Sequence, residues 1–265
     1  GNAHGHNNLL SFLALPIREI SLLFVPTQGG GMEIIMKKVF LMGDSIRKGY
    51  DRYVKESMKN IAQVYYPDEN CKFSQYILRN VHMWKEELGI DKADAVHWNA
   101  GLWDTLQIYG DGNLTRLDVY ADNIERIAKR IHFLFPGAKQ IFATNTPVIE
   151  SGYIKDFEMR FNADIEKYNE AAKTVLKKHQ VIINDLYELL KDKPESFHSD
   201  QSHFYTADAT ELIGGRVNSV LCKAMGIDES LLIKPDKEEF TITCLKNDNE
   251  MYIKKGGLYE RIEGI

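Results

Sequence analysis

The chain has 265 residues, 44% of them hydrophobic and 27% charged, with a formal net charge of −5. That is ordinary globular composition with ample apolar material for a core, and no Lys/Arg block stands out, which argues against a nucleic-acid partner or a polybasic membrane surface. Cys71, Cys222 and Cys244 are odd in number and far apart. Neither a disulfide framework nor a zinc site follows from them, and they fit a reducing, cytoplasmic compartment, with a secreted or periplasmic one as the alternative. No uninterrupted apolar run approaches the ~18–20 residues of a membrane span.

The opening GNAHGHNN lacks the cationic start of a secretory signal, and Pro16, Arg18 and Glu19 interrupt the apolar stretch Leu9–Val25. Gly29-Gly30-Gly31 reads as a linker. Residues 1–31 are therefore expected to be an N-terminal extension or an added, non-native segment, loosely attached, with a degenerate secretion signal as the alternative.

The first strong pattern is KKVFLMGDSIRKGY, Lys37–Tyr50. Val39-Phe40-Leu41-Met42 has the length and composition of a buried strand. Gly43 breaks it, and Tyr50, Tyr53, Val54, Met58 and Ile61 then recur at helical spacing. Ser45 thus stands where a buried strand hands over to a helix. A hydroxyl there lies at the open carboxyl end of a sheet, near unpaired helix amides. The bland reading of Ser45 is a helix N-cap.

Ala62–Tyr66 is a second strand, ended by the polar turn Pro67–Asn70. Ser74 is a plausible cap for a helix carrying Ile77, Leu78, Val81, Trp84 and Leu88. Ala93–Trp98 is a third strand, and Asn99-Ala100-Gly101-Leu102-Trp103-Asp104 leaves its carboxyl end. Thr115 and Asp118 resemble a capping box for a helix whose apolar face runs from Leu117 to Phe135, where Pro136-Gly137 stops it. Gln140–Thr144 is strand four, leaving into Asn145. A helix with Phe161, Ile165, Tyr168, Ala172 and Val175 precedes strand five, Val181–Ile183. The polar loop 191–201 leads to a last helix carrying Leu212, Ile213, Val217, Val220 and Leu221.

Five short apolar strands alternating with amphipathic helices predict a doubly wound parallel sheet with helices on both faces, one α/β domain over residues 32–229. Ser45, Cys71, Asn99 and Asn145 all fall at carboxyl ends of its strands, where such sheets bind ligands. Residues 230–265 change character. EFTITCL and MYIKK flank Asn247-Asp248-Asn249-Glu250, which predicts a small C-terminal β-hairpin extension, either packed on the domain or used in a homodimer.

Asp200 and His203 sit three apart, just before a helix that Thr206 would cap. In a turn, that spacing lets the carboxylate reach one imidazole nitrogen while the other faces outward. An imidazole so oriented can take a proton from a serine hydroxyl. Singly, a histidine in a polar loop is a solvated residue; together with a strand-end serine it points to nucleophilic catalysis.

Gly43-Asp44-Ser45 after the first strand and Asp200-x-x-His203 before the last helix resemble the first and last blocks of the SGNH (GDSL-like) hydrolases, a likeness spanning roughly residues 37–226. It implies a flavodoxin-like, three-layer α/β/α fold and ester hydrolysis through an acyl-enzyme, with Ser45 as nucleophile, His203 as general base then acid, and Asp200 as its orienting partner. It implies no metal and no organic cofactor. The middle blocks depart from the family. Cys71 stands where a glycine backbone N–H helps bind the oxyanion; its own N–H could still donate, and read alone it is a small buried thiol. Gly101-Leu102-Trp103-Asp104 puts tryptophan in the place of the asparagine whose amide completes the oxyanion hole. Asn99 is the better candidate for that amide, though it also reads as a strand-end turn residue.

Asp44, Arg47, Trp103, Tyr109 and Asn145 could line a polar pocket, which suggests a small-molecule substrate, a short acyl ester on a sugar or similar polyol. Two other readings compete: a non-catalytic binding protein on the same fold, disabled by the Trp103 departure, and a phosphate or nucleotide binder using the turn 43–46. The last lacks a glycine-rich loop followed by lysine.

Overall fold

The computed structural model describes residues 24–26, 32–34, 36–155, 157–240, 242–244, 251–255 and 258–261. Two compact units result, residues 1–36 and 37–265. In the first, Phe24–Pro26 pairs antiparallel with Met32–Ile34. The Gly29–Gly31 linker lies outside the described residues, as does most of the apolar stretch before it.

The second unit contains a five-stranded parallel sheet built from β1 (Lys37–Met42), β2 (Ala62–Tyr65), β3 (Ala95–Trp98), β4 (Lys139–Ala143) and β5 (Ile182–Asn184). Their spatial order is β2-β1-β3-β4-β5. Each predicted strand is present, with ends shifted by a residue or two, as expected where the ladder rather than apolarity sets the boundary. The connecting helices are α1 (Ser45–Met58), α2 (Ser74–Glu87), α3 (Leu117–Leu134), α4 (Asn162–Leu176), the short α5 (Leu186–Leu190) and α6 (Ala207–Met225). No helix among the described residues is long and apolar enough to cross a membrane.

Strand alternation divides the core. Phe40, Met42, Val96, Trp98 and Phe142 point to one face, where they pack with Val81 and Trp84 of α2, Ile124 and Ile127 of α3, and Tyr168 and Ala172 of α4. Val39, Leu41, Ala95, His97 and Ile141 alternate onto the other face, all fully buried, on the side where α1 and α6 pack against each other. Because both faces are covered, the strands read as continuous apolar runs. β1 and β3 are neighbours in register, Met42 beside Trp98, yet the chain leaves them for opposite halves of the sheet. Their carboxyl ends therefore flank the crevice where the winding reverses.

Three helix starts differ from expectation. Asp44, not Ser45, is the N-cap of α1: its Oδ1 accepts the Ile46 N–H at 2.9 Å, leaving Ser45 as the first helical residue. Phe73 precedes α2 and Ser74 is its first residue, its N–H and hydroxyl both donating to Asp104 across the chain, at 2.9 and 2.6 Å. Arg116 precedes α3 with no side-chain cap, and the Thr115 side chain is hydrogen-bonded to the Asp104 carboxylate instead. Thr206 caps α6 as expected, accepting the Ala209 N–H at 3.3 Å.

At the C-terminus, β6 (Ile242–Cys244) pairs antiparallel with β7 (Met251–Lys255), Thr243 opposite Tyr252. A third strand, β8 (Leu258–Arg261), adds to β7, so the element is a three-stranded sheet and not a lone hairpin. The tip 247–250 lies outside the described residues.

Candidate active site

Ser45 and His203 are 158 positions apart, and the fold brings them into contact: His203 Nε2 is 2.7 Å from Ser45 Oγ. His203 Nδ1 is 2.7 Å from Asp200 Oδ2. The turn that holds this geometry is local. Asp200 Oδ1 accepts the N–H groups of Ser202 and His203 at 2.7 and 2.8 Å, and the Ser199 N–H donates to the His203 carbonyl at 2.8 Å. Burial works to raise the Asp200 pKa, but the His203 hydrogen bond and charge with these two amides outweigh it and hold the carboxyl at about 2. Asp200 is thus anionic throughout the neutral range, and favours a proton on the Nδ1 facing it. His203 then presents Nε2 as an acceptor to the Ser45 hydroxyl.

The site rests on side chains that sequence reasoning did not select. Tyr205 stacks on His203 (4.8 Å between ring centroids, 18° between planes) and donates its hydroxyl to the Ser45 carbonyl at 2.7 Å. It fastens both the imidazole and the serine turn. The Tyr153 hydroxyl is 2.5 Å from Ser202 Oγ. Arg160 donates from Nε to the Leu102 carbonyl at 2.5 Å. Only the position of Tyr205, next but one to His203, could have drawn attention in the sequence; Tyr153 and Arg160 come from a loop region with no motif.

The residues expected around the oxyanion fall differently. Asn99 is buried, and its Nδ2 donates to Asp44 Oδ1 at 2.9 Å. Burial pushes the Asp44 carboxyl up, offset in part by the Asn99 and Ile46 hydrogen bonds. Gly43 makes this contact possible, because a Cβ there would stand 1.9 Å from Asn99 Oδ1. Cys71 is fully buried beside this turn, and burial pushes its thiol up to about 11. Its backbone N–H, expected to face an oxyanion, instead donates to the Gly43 carbonyl at 3.0 Å.

Of the expected pocket-lining residues, Arg47 is engaged in the protein interior. It is fully buried, with Nη1 2.5 Å from Asp51 Oδ2 and Nη2 2.6 Å from the Glu69 carbonyl. It is a helix-face cation neutralised one turn along. Tyr109 is 75% exposed, its ring against Phe157. Trp103 is half-buried. Asn145 is buried and pinned by Asn169, which accepts both its backbone and side-chain N–H. It lies over Gly101, whose φ of +144° and missing Cβ (which would fall 2.1 Å from Asn145 Nδ2) admit it. No cluster of His, Cys, Asp and Glu among the described residues could hold a metal ion.

No family model matches the chain, and no curated protein matches it. Solved structures do. A lipase/acylhydrolase from Enterococcus faecalis aligns with a TM-score of 0.55 at 20% identity, over 76% of this chain and 99% of that one. A GDSL-like lipase from Bacteroides thetaiotaomicron gives 0.55 at 18%, over 71% and 89%. An acetylxylan esterase from Geobacillus stearothermophilus gives 0.50 at 14%, over 73% and 95%. The likeness read from the two motif blocks is met by these neighbours, and the fold is one shared with GDSL-like lipases and acetylxylan esterases.

Proposed function

We propose that this chain is a serine ester hydrolase on a flavodoxin-like, three-layer scaffold, working through Ser45, His203 and Asp200. The observation that carries the reading is the unbroken hydrogen-bonded line from the Asp200 carboxylate through His203 to the Ser45 hydroxyl. Its place at the carboxyl edge, where the sheet's winding reverses, adds support.

In this reading His203 Nε2 takes the Ser45 proton as Oγ attacks the ester carbonyl, and Asp200 stabilises the imidazolium. His203 then gives that proton to the leaving alcohol. Water, deprotonated by the same imidazole, cleaves the acyl-enzyme. The Ser45 N–H in the first turn of α1 and the second Asn99 amide hydrogen, beyond the one given to Asp44, would meet the developing oxyanion. Cys71 is left out of that role, its N–H being engaged. A short acyl ester on a sugar or similar polyol is the substrate class we favour, in keeping with the acetylxylan esterases among its structural neighbours.

A non-catalytic binding role has two observations in its favour, Trp103 in the asparagine place and the engaged Cys71 amide. Hydrolysis of p-nitrophenyl acetate by the wild-type chain and by Ser45→Ala, with fluorophosphonate labelling of each, separates the two. We expect labelling and turnover in the wild type and a loss on the order of 10⁴–10⁶-fold in kcat for Ser45→Ala. A folded wild type that neither labels nor turns over would favour the binding role.

A further inference from the structure

We infer that Arg160 forms a subsite for an anionic group, so that the preferred ester carries a carboxylate or phosphate close to the bond that is cleaved. This rests on the esterase reading and narrows its substrate. Arg160 follows the short strand Glu158–Met159 and is only 7% exposed. A guanidinium so enclosed needs its donors matched. Nε is taken by the Leu102 carbonyl, and Nη1 meets the Tyr153 hydroxyl at 3.3 Å. Nη2 makes no hydrogen bond among the described residues, and the guanidinium carbon lies 5.9 Å from the centroid of the Tyr153 ring. The nearest carboxylate, Glu158, lies 3.5 Å from Nη1, not Nη2, and is itself 42% exposed, so it neutralises the charge incompletely.

The two anchors of Arg160 belong to two different segments that reach the triad. Leu102 belongs to the loop after β3 that carries Asn99 and Trp103. Tyr153 touches Ser202, the residue before His203. The guanidinium therefore touches the strand-end loop directly and the histidine loop by way of Tyr153. Burial pushes the Asp44 carboxyl beside Ser45 up, and the Arg160 charge acts against that push. Arg47, the other enclosed arginine near the serine turn, already has its carboxylate in Asp51. Arg160 keeps one N–H direction for an incoming anion, and charge-assisted bonds of that kind are the strong ones.

The test is a comparison of two near-isosteric pairs, monomethyl succinate with methyl butyrate and acetoxyacetate with propyl acetate, followed by acid release at constant pH. The wild type should favour the anionic member of at least one pair by about 10- to 100-fold in kcat/KM. That ratio should fall towards one in Arg160→Gln, recover in part in Arg160→Lys, and shrink as salt is raised in the wild type. A merely structural Arg160 would lower both members together. A wild-type ratio of one in both pairs, a ratio that Arg160→Gln leaves intact, or a ratio indifferent to salt would overturn the subsite. Thermal shifts separate it from the esterase reading. Succinate or inorganic phosphate should raise the Tm of the wild type but not of Arg160→Gln even if no ester is cleaved, and the larger shift distinguishes carboxylate from phosphate. No anion-dependent shift in the wild type would overturn it.

Discussion

At the scale of single residues, the informative contrast lies between side chains that look alike in the sequence. Arg47 and Arg160 are both enclosed cations, but only Arg47 has a carboxylate within 2.5 Å. Asp44 and Asp200 are both carboxylates at the site. The first is pushed up by burial, and the second is held at about 2 by His203 and two amides. That difference makes Asp200 the permanent anion able to orient an imidazole. Asp200→Asn should leave the fold intact and lower kcat/KM by about 10³–10⁴-fold on p-nitrophenyl acetate, because the imidazole loses the partner that sets its tautomer. Gly43→Ala should act through a neighbour: its Cβ would displace Asn99, removing one oxyanion donor. A fall of about 10²–10³-fold in kcat, with KM little changed, is the expected reading of steady-state kinetics.

At the scale of elements, the proposed triad depends on two helix beginnings. α1 starts at Ser45 because Asp44 caps it, so the serine is held in the first turn with its amide unpaired within the helix. α6 starts after Thr206, whose cap ends the loop that presents His203. Thr206→Ala should destabilise the protein by about 1 kcal/mol in urea unfolding, with the slope of the transition unchanged. Elsewhere, tertiary partners took over the local signals. Ser74 serves Asp104 instead of capping its own helix, since a buried carboxylate must find donors wherever the fold offers them.

At the scale of the whole molecule, His97 and Asp200 both contribute to the acid limb of stability. His97 is fully buried beneath α1 and α6, between Tyr50 and Asn184, and burial pushes its pKa from 6.5 down to about 3. The unfolded chain binds that proton first, so stability is lost as pH falls from about 6.5 towards 3. Asp200, depressed from 3.8 to about 2, adds a second loss as pH falls through that lower window. Thermal melting should show a Tm lower at pH 5 than at pH 7. In His97→Gln that difference should shrink, whatever the variant's Tm at pH 7.

By itself the sequence determined the alternation of strands and helices, the carboxyl-edge position of Ser45, and the pairing of Asp200 with His203. Each of these follows from apolar period or from spacing along a few residues, which are properties of the local chain. Whether Ser45 meets His203 is a matter of sheet order and of loops closing over 158 positions. The same holds for the Cys71 amide drawn to Gly43, the Arg47 charge consumed by Asp51, and Arg160 held between the Leu102 carbonyl and the Tyr153 hydroxyl. None of those contacts leaves a trace in composition or periodicity, because hydrogen bonds and burial between distant segments exist only once the sheet has brought them together.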